Sequence, residues 1–154
     1  MSALVILFSY HHKNTEKIAK VIASSLGAQI KTPDQIDPNS LSNYDLVGFG
    51  SGIYFGKHHK VLLDFVDKLA QSTNKKGFIF STSGRTGDVS PKFHKQLREK
   101  LQSKGFEIIG EFNCGAFDTY GIMKIIGGIN KGRPNEEDLK QADKFAQGLK
   151  KNVS

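Results

Sequence analysis

Three polar loops of this chain hold the residues that could bind a ligand, and each follows an apolar, strand-like run. The first loop, Ser9–Thr15, combines hydroxyl, imidazole and amide groups and leads into a helical pattern. Backbone N–H groups at the start of a helix favour an anion there. The loop carries neither the G-x-x-x-x-G-K-[ST] motif of triphosphate-binding proteins nor the G-x-G-x-x-G motif of dinucleotide binders. Its composition therefore predicts a site for one small phosphate group.

The other two loops, Ser51–Lys57 and Ser81–Gly87, are rich in glycine, serine and threonine. Tyr54 and Phe55 stand side by side in the second loop, with a glycine close on either side. Exposed aromatic side chains suit stacking on a flat ring, and glycines let the backbone approach such a ring. The alternative is that both aromatics fold under the loop into the core. The flanking glycines favour exposure, so the loops together predict a site for an aromatic ligand.

Strand-like and helical segments alternate along the chain, which predicts a parallel sheet with helices on both faces. The five predicted strands are Ala3–Ser9, Ala28–Lys31, Asp45–Gly52, Lys76–Ser83 and Phe106–Ala116. The predicted helices are Thr15–Leu26 after an Asn14 cap, His58–Gln71, one from Ser90 to Gly105, and one capped by Asn135. We expect one three-layer α/β/α domain over residues 1–154, doubly wound in the order 2-1-3-4-5. Ligands of such sheets bind beyond the carboxyl ends of the strands.

Composition narrows the class of protein. The chain has 154 residues, of which 38% are hydrophobic and 24% charged, as in soluble globular proteins. Its longest apolar run, Ala3–Phe8, is too short to span a bilayer, and no signal-peptide pattern precedes it. One cysteine, Cys114, excludes an internal disulfide, and with no activating neighbour we expect it in the core. We expect a cytoplasmic protein without membrane insertion.

Charge and histidine content suggest two further functions that the sequence does not favour. The net charge is +7, but the basic residues are scattered and no nucleic-acid-binding motif occurs, so we expect no nucleic-acid partner. The doublets His11-His12 and His58-His59 lack an acid or cysteine at ligand spacing, so we expect no metal. We interpret His58 and His59 as a surface pair at a helix start.

The segments VILFSYHHKNTEKIAKVIA, YDLVGFGSGIYFGKHHK and GFIFSTSGRTGD resemble the ligand-binding segments of flavodoxins, and the resemblance extends along nearly the whole chain. It implies a flavodoxin-like fold and FMN as the cofactor. The first loop would hold the FMN phosphate, Tyr54 or Phe55 would stack on the flavin, and the third loop would face the ring edge or ribityl chain. The implied cofactor-binding residues are Tyr10, His11, His12, Lys13, Asn14, Thr15, Gly52, Ile53, Tyr54, Phe55, Gly56, Thr82, Ser83, Gly84, Arg85, Thr86 and Tyr120.

The chain departs from the family pattern in two loops. Tyr10 and His12 replace hydroxyl residues of the first loop, and Lys13 replaces its glycine. The third loop lacks the aromatic that often covers the outer face of the flavin, for which Tyr120, in the long loop after the last strand, is a candidate substitute.

The resemblance implies an electron-transfer protein that shuttles electrons between redox partners through the flavin semiquinone and hydroquinone, with no catalytic residues. Because the chain is basic, we expect redox partner proteins with acidic contact surfaces. The alternative is a flavodoxin-like FMN-dependent oxidoreductase of the quinone reductase or protoporphyrinogen oxidase type, since the missing aromatic leaves room for a substrate. A flavin-free phosphoacceptor receiver is not favoured, because it needs acids where Ser9-Tyr10 and Ser51-Gly52 stand.

Overall fold

The computed structural model describes residues 1–9, 14–84, 90–115 and 134–153. Its strands are β1 (Ala3–Phe8), β2 (Gln29–Lys31), β3 (Leu46–Tyr54), β4 (Lys57–His58), β5 (Lys75–Ser83) and β6 (Phe106–Gly115). Its α-helices are α1 (Asn14–Leu26), α2 (Lys60–Asp67), α3 (Ser90–Phe93), α4 (Lys95–Ser103) and α5 (Glu136–Val153). Within these residues, none of the helices combines the length and apolarity needed to cross a membrane.

The sheet confirms the predicted topology. Its main path runs β2-β1-β3-β5-β6, which is the order 2-1-3-4-5 once the short β4 is set aside. All neighbours on this path are parallel, and only β4 pairs antiparallel, with β3. Phe8 pairs with Ser51, and Ser51 with Ser81, so the ends of β1, β3 and β5 lie side by side. The three candidate loops therefore leave the sheet at one edge.

Several predicted boundaries were wrong. The third predicted strand continues beyond Gly52 and forms a hairpin with β4, because Ile53 and Tyr54 pair with His58 and Lys57. The helix predicted from His58 to Gln71 spans only Lys60–Asp67. The helix predicted from Ser90 is two helices, α3 and α4, that meet at His94. Two 3₁₀ helices, Pro33–Gln35 and Pro38–Asn43, lie between β2 and β3.

The last helix begins as predicted. The Asn135 side chain accepts a 3.0 Å hydrogen bond from the Asp138 amide, while the Asp138 carboxylate accepts one of 2.9 Å from the Asn135 amide. This reciprocal pair satisfies two backbone donors at the start of α5.

The sheet face covered by α1 and α5 packs aromatic rings directly onto glycines. The buried rings of Phe78 and Phe80 on β5 lie over Gly48 and Gly50 of β3. A Cβ added at Gly48 would come within 2.1 Å of Phe78, and one at Gly50 within 2.2 Å of Phe80. Cys114 is buried in the same core, as predicted.

The opposite face packs against α2 and α4. Its apolar core includes Leu4, Phe49, Leu62, Ile79 and Leu97. Near the carboxyl ends of the strands, however, the side chains buried on this face are polar. The two faces of the sheet therefore differ in the polarity of their buried side chains.

Candidate functional site

The β3–β4 hairpin projects from the sheet edge at which the candidate loops begin. Tyr54 pairs with Lys57 across a two-residue turn made of Phe55 and Gly56. Both turn residues have positive φ, +54° for Phe55 and +78° for Gly56, as in a type I′ turn. Glycine adopts this backbone freely, but a phenylalanine there costs about 1–2 kcal/mol.

The Phe55 side chain is 98% exposed. An apolar ring that is held in a strained backbone and gains nothing from burial is typical of a ligand-binding position. The prediction of an exposed aromatic is therefore confirmed for Phe55. Tyr54 is half-buried. The alternative prediction, that the aromatic side chains fold under the loop, therefore holds in part for Tyr54.

His59 fixes the base of the hairpin. Its ring stacks on Phe8 with centroids 4.2 Å apart and meets Tyr54 edge-on at 4.9 Å. Its Nδ1 caps α2 by accepting a 3.0 Å hydrogen bond from the Val61 amide, and burial lowers the pKa of the imidazole. Its amide donates to the Ser51 hydroxyl at 3.0 Å. His59 therefore joins the ends of β1 and β3 to the start of α2.

Two candidate residues bind one another. Thr15, in the first turn of α1, and Thr82 on β5 are both buried, and their hydroxyl oxygens are 2.7 Å apart. This hydrogen bond ties the first candidate loop to the third. Direct contact of either hydroxyl with a cofactor stays a prediction.

The remaining described candidates lie along the same edge. Gly52 and Ile53 are half-buried within the hairpin, and Gly84 is half-buried just beyond β5. Ser83 is buried, and its hydroxyl accepts a 3.4 Å hydrogen bond from Asn113. Asn14 is half-buried at the start of α1. The remaining candidates lie outside the described residues: Tyr10, His11, His12, Lys13, Arg85, Thr86 and Tyr120.

Ser9, at the base of the first loop, was not among the implied cofactor-binding residues. Its hydroxyl oxygen is buried and has no hydrogen-bond partner among the described residues. A buried hydroxyl without a partner is unfavourable unless a ligand or water satisfies it. Ser9 follows β1 directly, where the start of α1 would bring a phosphate, so this hydroxyl fits a phosphate ligand. A hydroxyl residue at the end of an apolar strand was the available signal.

A buried polar network behind the hairpin was also missed. His94 is fully buried; its Nδ1 lies 2.9 Å from the Glu111 carboxylate and its Nε2 2.6 Å from the Ser81 hydroxyl. Arg98 binds both Glu111 oxygens, at 2.7 and 2.8 Å. Asn113 donates to the Ser81 hydroxyl at 2.8 Å. The signal for this network was polar residues, Glu111 and Asn113 among them, inside a strand-like run.

The interpretation of His58 as a surface residue was wrong. His58 is 1% exposed, and its Nε2 donates a 3.0 Å hydrogen bond to the Phe80 carbonyl. Its ring lies against His94 with centroids 4.9 Å apart. Successive side chains of a strand point to opposite faces, so β4 directs His58 into the core while Lys57 is exposed.

The charges of this network are set by burial and hydrogen bonding. Burial, with the nearby His94 as a second cause, lowers the pKa of His58 to about 3, so this histidine is neutral near pH 7. Burial alone would raise the pKa of Glu111, but hydrogen bonds from His94 and Arg98 lower it to about 2. Since an ionised carboxylate only accepts, His94 donates to Glu111 from Nδ1.

Comparison with known proteins identifies the class that this fold and site define. A family model described as a flavodoxin domain matches residues 5–123. An uncharacterised protein of Methanocaldococcus jannaschii is 57% identical over 152 residues, which cover 99% of this chain and 100% of that protein.

Solved structures agree on the fold. Oxidised flavodoxin 2 from Bacillus cereus superposes with a TM-score of 0.75 and 20% identity over 99% of both chains. The apo form of an NADH:FMN oxidoreductase, EMOB, superposes with a TM-score of 0.71 and 17% identity over 99% of this chain and 90% of that one.

This chain belongs to the flavodoxin family, and its cofactor is FMN. The described residues fit that cofactor in two places: the exposed Phe55 ring suits the flavin, and the unsatisfied Ser9 hydroxyl suits the phosphate. No group of three or more histidine, cysteine or acidic residues in the described part of the chain is arranged to hold a metal ion.

Proposed function

We propose that this protein binds FMN across the ends of β1, β3 and β5 and carries electrons between redox proteins. When bound, FMN supplies the redox chemistry, and the protein tunes it by stacking, hydrogen bonding and nearby charge. Phe55 stacks on the flavin ring, and the first loop together with the Ser9 hydroxyl receives the phosphate. The residues Tyr10 to Thr15 and Ser83 to Thr86 complete the pocket.

The observation that carries this proposal is the Phe55 turn. Its ring is 98% exposed on a backbone with φ of +54°, beside the edge where the candidate loops begin. Both the exposure and the strain are unfavourable for the protein alone, and a stacked planar ring would compensate them. Gly56, with φ of +78°, leaves the peptide next to this ring free of a side chain.

Titration of the apoprotein with FMN, followed by quenching of flavin fluorescence, tests the site. We expect one FMN per chain, bound at micromolar protein or below, and riboflavin bound more weakly because it lacks the phosphate. FMN that stays free at these concentrations would contradict the proposal.

Stepwise reduction of the bound flavin tests the function. A carrier is expected to accumulate half-reduced flavin during photoreduction and to show no turnover of NAD(P)H with a quinone. Turnover by the purified protein alone would instead support the oxidoreductase function. This alternative is tested because an NADH:FMN oxidoreductase has a similar structure.

We also propose that the redox partner presents an acidic surface to the hairpin. The turn lies against α3, because a Cβ placed on Gly56 would be 3.9 Å from the Phe93 ring. The exposed lysines Lys57, Lys92 and Lys95 lie within two residues of Gly56 or Phe93 in the sequence. The segments 52–63 and 90–98 contain no acidic residue. A basic rim of this kind accelerates association with an acidic partner.

Charge-neutralising variants test the acidic partner. Replacing Lys57, Lys92 and Lys95 together with glutamine should slow electron exchange with an acidic redox protein about tenfold at low salt, and flatten its salt dependence. The matched control replaces Lys140, Lys144 and Lys151, which are exposed on α5, and removes the same charge. Equal effects of the two triple variants would show that the net charge of the protein, and not the position of Lys57, Lys92 and Lys95, controls association.

A further inference from the structure

His58 occupies an unusual position for a buried polar residue. It comes three residues after the exposed Phe55, on a strand of only two residues, and its side chain is 1% exposed. The Phe80 carbonyl accepts from Nε2 at 3.0 Å, which places the ring proton on Nε2. Its Nδ1 is buried and has no hydrogen-bond partner among the described residues. The imidazole is therefore held by one directed hydrogen bond to β5.

The turn that His58 follows has little local support. Type I′ turns favour Asn-Gly because both central residues need positive φ, and this turn has Phe55 in the first position. Only two residue pairs join β3 to β4. A short ladder and an unfavourable turn residue do not by themselves select one conformation, so side-chain contacts must hold the hairpin.

The buried network supplies a rigid backing for His58. The His94 ring, 4.9 Å from the His58 ring, is fixed at both nitrogens by Glu111 and Ser81. Glu111 is in turn held by both Arg98 contacts. The titratable or charged groups that act on His58 are thus His94, between α3 and α4, and Glu111 on β6, while Arg98 on α4 holds Glu111. Paired polar groups of this kind, with both His94 nitrogens and both Glu111 oxygens bonded, rigidify the region around them.

We propose that His58 is a positioning residue for the flavin. Its Nε2–H···O hydrogen bond to the Phe80 carbonyl holds the Phe55 turn in the strained conformation that binds the ligand. The hydrogen-bonded residues His94, Glu111 and Arg98 support the His58 ring from behind. The proposal rests on the proposed FMN site. Pre-organisation of this kind raises affinity because the turn is ordered before the ligand arrives. The imidazole must stay neutral, since a protonated ring has no place for its second proton in this pocket.

Two variants at one position separate the hydrogen bond from the bulk of the ring. His58→Gln places an amide N–H where Nε2 donates to Phe80 and does not titrate, whereas His58→Phe fills the space without a donor. We expect His58→Gln to bind FMN within threefold of the wild-type Kd at pH 7.5. We expect His58→Phe to raise that Kd about tenfold, and the Kd for riboflavin by the same factor, because the ring and not the phosphate loses its support.

A stability-matched control excludes a general effect of destabilisation. Ile22→Val removes one buried methyl group from α1 on the other face of the sheet, and should leave the FMN Kd unchanged. The pH profile is a second measurement, made without cofactor. Between pH 7.5 and 5, the folding equilibrium constant of the wild type should fall about 30-fold more than that of His58→Gln, because only the unfolded chain binds the proton there.

The outcomes separate the two proposals. If the wild type does not bind FMN, the proposed function fails. If the wild type binds FMN and folded His58→Phe binds it equally well, or His58→Gln is as weak as His58→Phe, the positioning role is wrong. Should His58→Phe fail to fold, His58→Gln decides: the proposal requires near-wild-type affinity together with the flatter pH profile.

Discussion

The two faces of the sheet reach order by different means. On the face covered by α1 and α5, Phe78 and Phe80 pack onto glycines and the contacts are apolar. On the face covered by α2 and α4, the carboxyl-terminal end of the core holds Ser81, His94 and Glu111 in a hydrogen-bonded chain. Burial of apolar surface is a non-directional driving force, whereas hydrogen bonds fix the direction of the groups that they join. The directional face is the one that supports the hairpin of the candidate site.

The largest effect is expected where the polar face loses its central acceptor. Glu111→Leu removes the acceptor of His94 Nδ1 and the carboxylate that Arg98 binds, so we expect a loss of about 2–3 kcal/mol in the free energy of unfolding. Urea unfolding at pH 7 measures it. A loss below about 0.5 kcal/mol would mean that the network is no more than a solvated ion pair at the surface.

A steric substitution tests the apolar face. Gly50→Ala drives a Cβ to within 2.2 Å of the Phe80 ring, which is fully buried, and we expect a loss of about 2 kcal/mol in unfolding free energy. Adding Phe80→Leu should return part of that loss in a double-mutant cycle. Gly148→Ala on α5 is the control, since nothing lies within 4 Å of its added Cβ and it should stabilise by up to about 1 kcal/mol. Strict additivity of the Gly50 and Phe80 changes would contradict the packing explanation.

Acid sensitivity is expected to belong to the polar face. The pKa of Glu111 is about 2 in the folded protein against 4.5 when unperturbed, so its stabilisation is complete above pH 4.5 and is lost as the pH falls toward 2. We expect this loss to be about 1–2 kcal/mol, given that the carboxylate is partly exposed. Unfolding free energies of the wild type and Glu111→Gln, measured from pH 5 to 2.5, should converge; parallel curves would contradict the assignment.

The smallest change in stability is expected at the turn, with opposite effects on folding and binding. Phe55→Asn suits positive φ, so apoprotein stability should rise by up to about 1 kcal/mol while the Kd for FMN rises about tenfold through loss of stacking. Phe55→Tyr keeps the ring and should change neither quantity much. Thermal unfolding and flavin fluorescence measure the two effects. An Asn variant that binds FMN like the wild type would remove Phe55 from the site.

Periodicity predicted the elements that bury apolar residues and failed where polar residues interrupt them. The runs in β1, β3 and β5 predict buried parallel strands. Their order was expected only as the commonest one for a doubly wound chain of this length, and the sheet confirms it. The helix predicted from His58 failed because His58 pairs in β4 with Ile53, a pairing that no local pattern marks. The break at His94 arises because that side chain turns inward to Ser81 and Glu111, which lie far along the chain.

The site was predicted in part for the same reason. Glycines beside Tyr54 and Phe55 indicated an exposed aromatic. Phe55 is exposed in the two-residue turn of the hairpin, where both residues have positive φ. The number of residues in the turn decides which side chains of β4 point inward, and in this hairpin His58 is one of them. Ser9 began the first candidate loop but was not assigned to the cofactor, because an unsatisfied hydroxyl is visible only when its surroundings are in place.

Local composition alone determined that this chain forms a layered parallel sheet with three polar loops after its strands, since apolar periodicity and loop chemistry act over short stretches of chain. Tertiary structure decided which polar side chains are buried together and which ring faces the solvent. His58, Ser81, His94 and Glu111 acquire a common role only through contacts between segments distant in sequence. Burial and hydrogen-bond direction, which set their charges, are properties of the assembled fold and of no single segment.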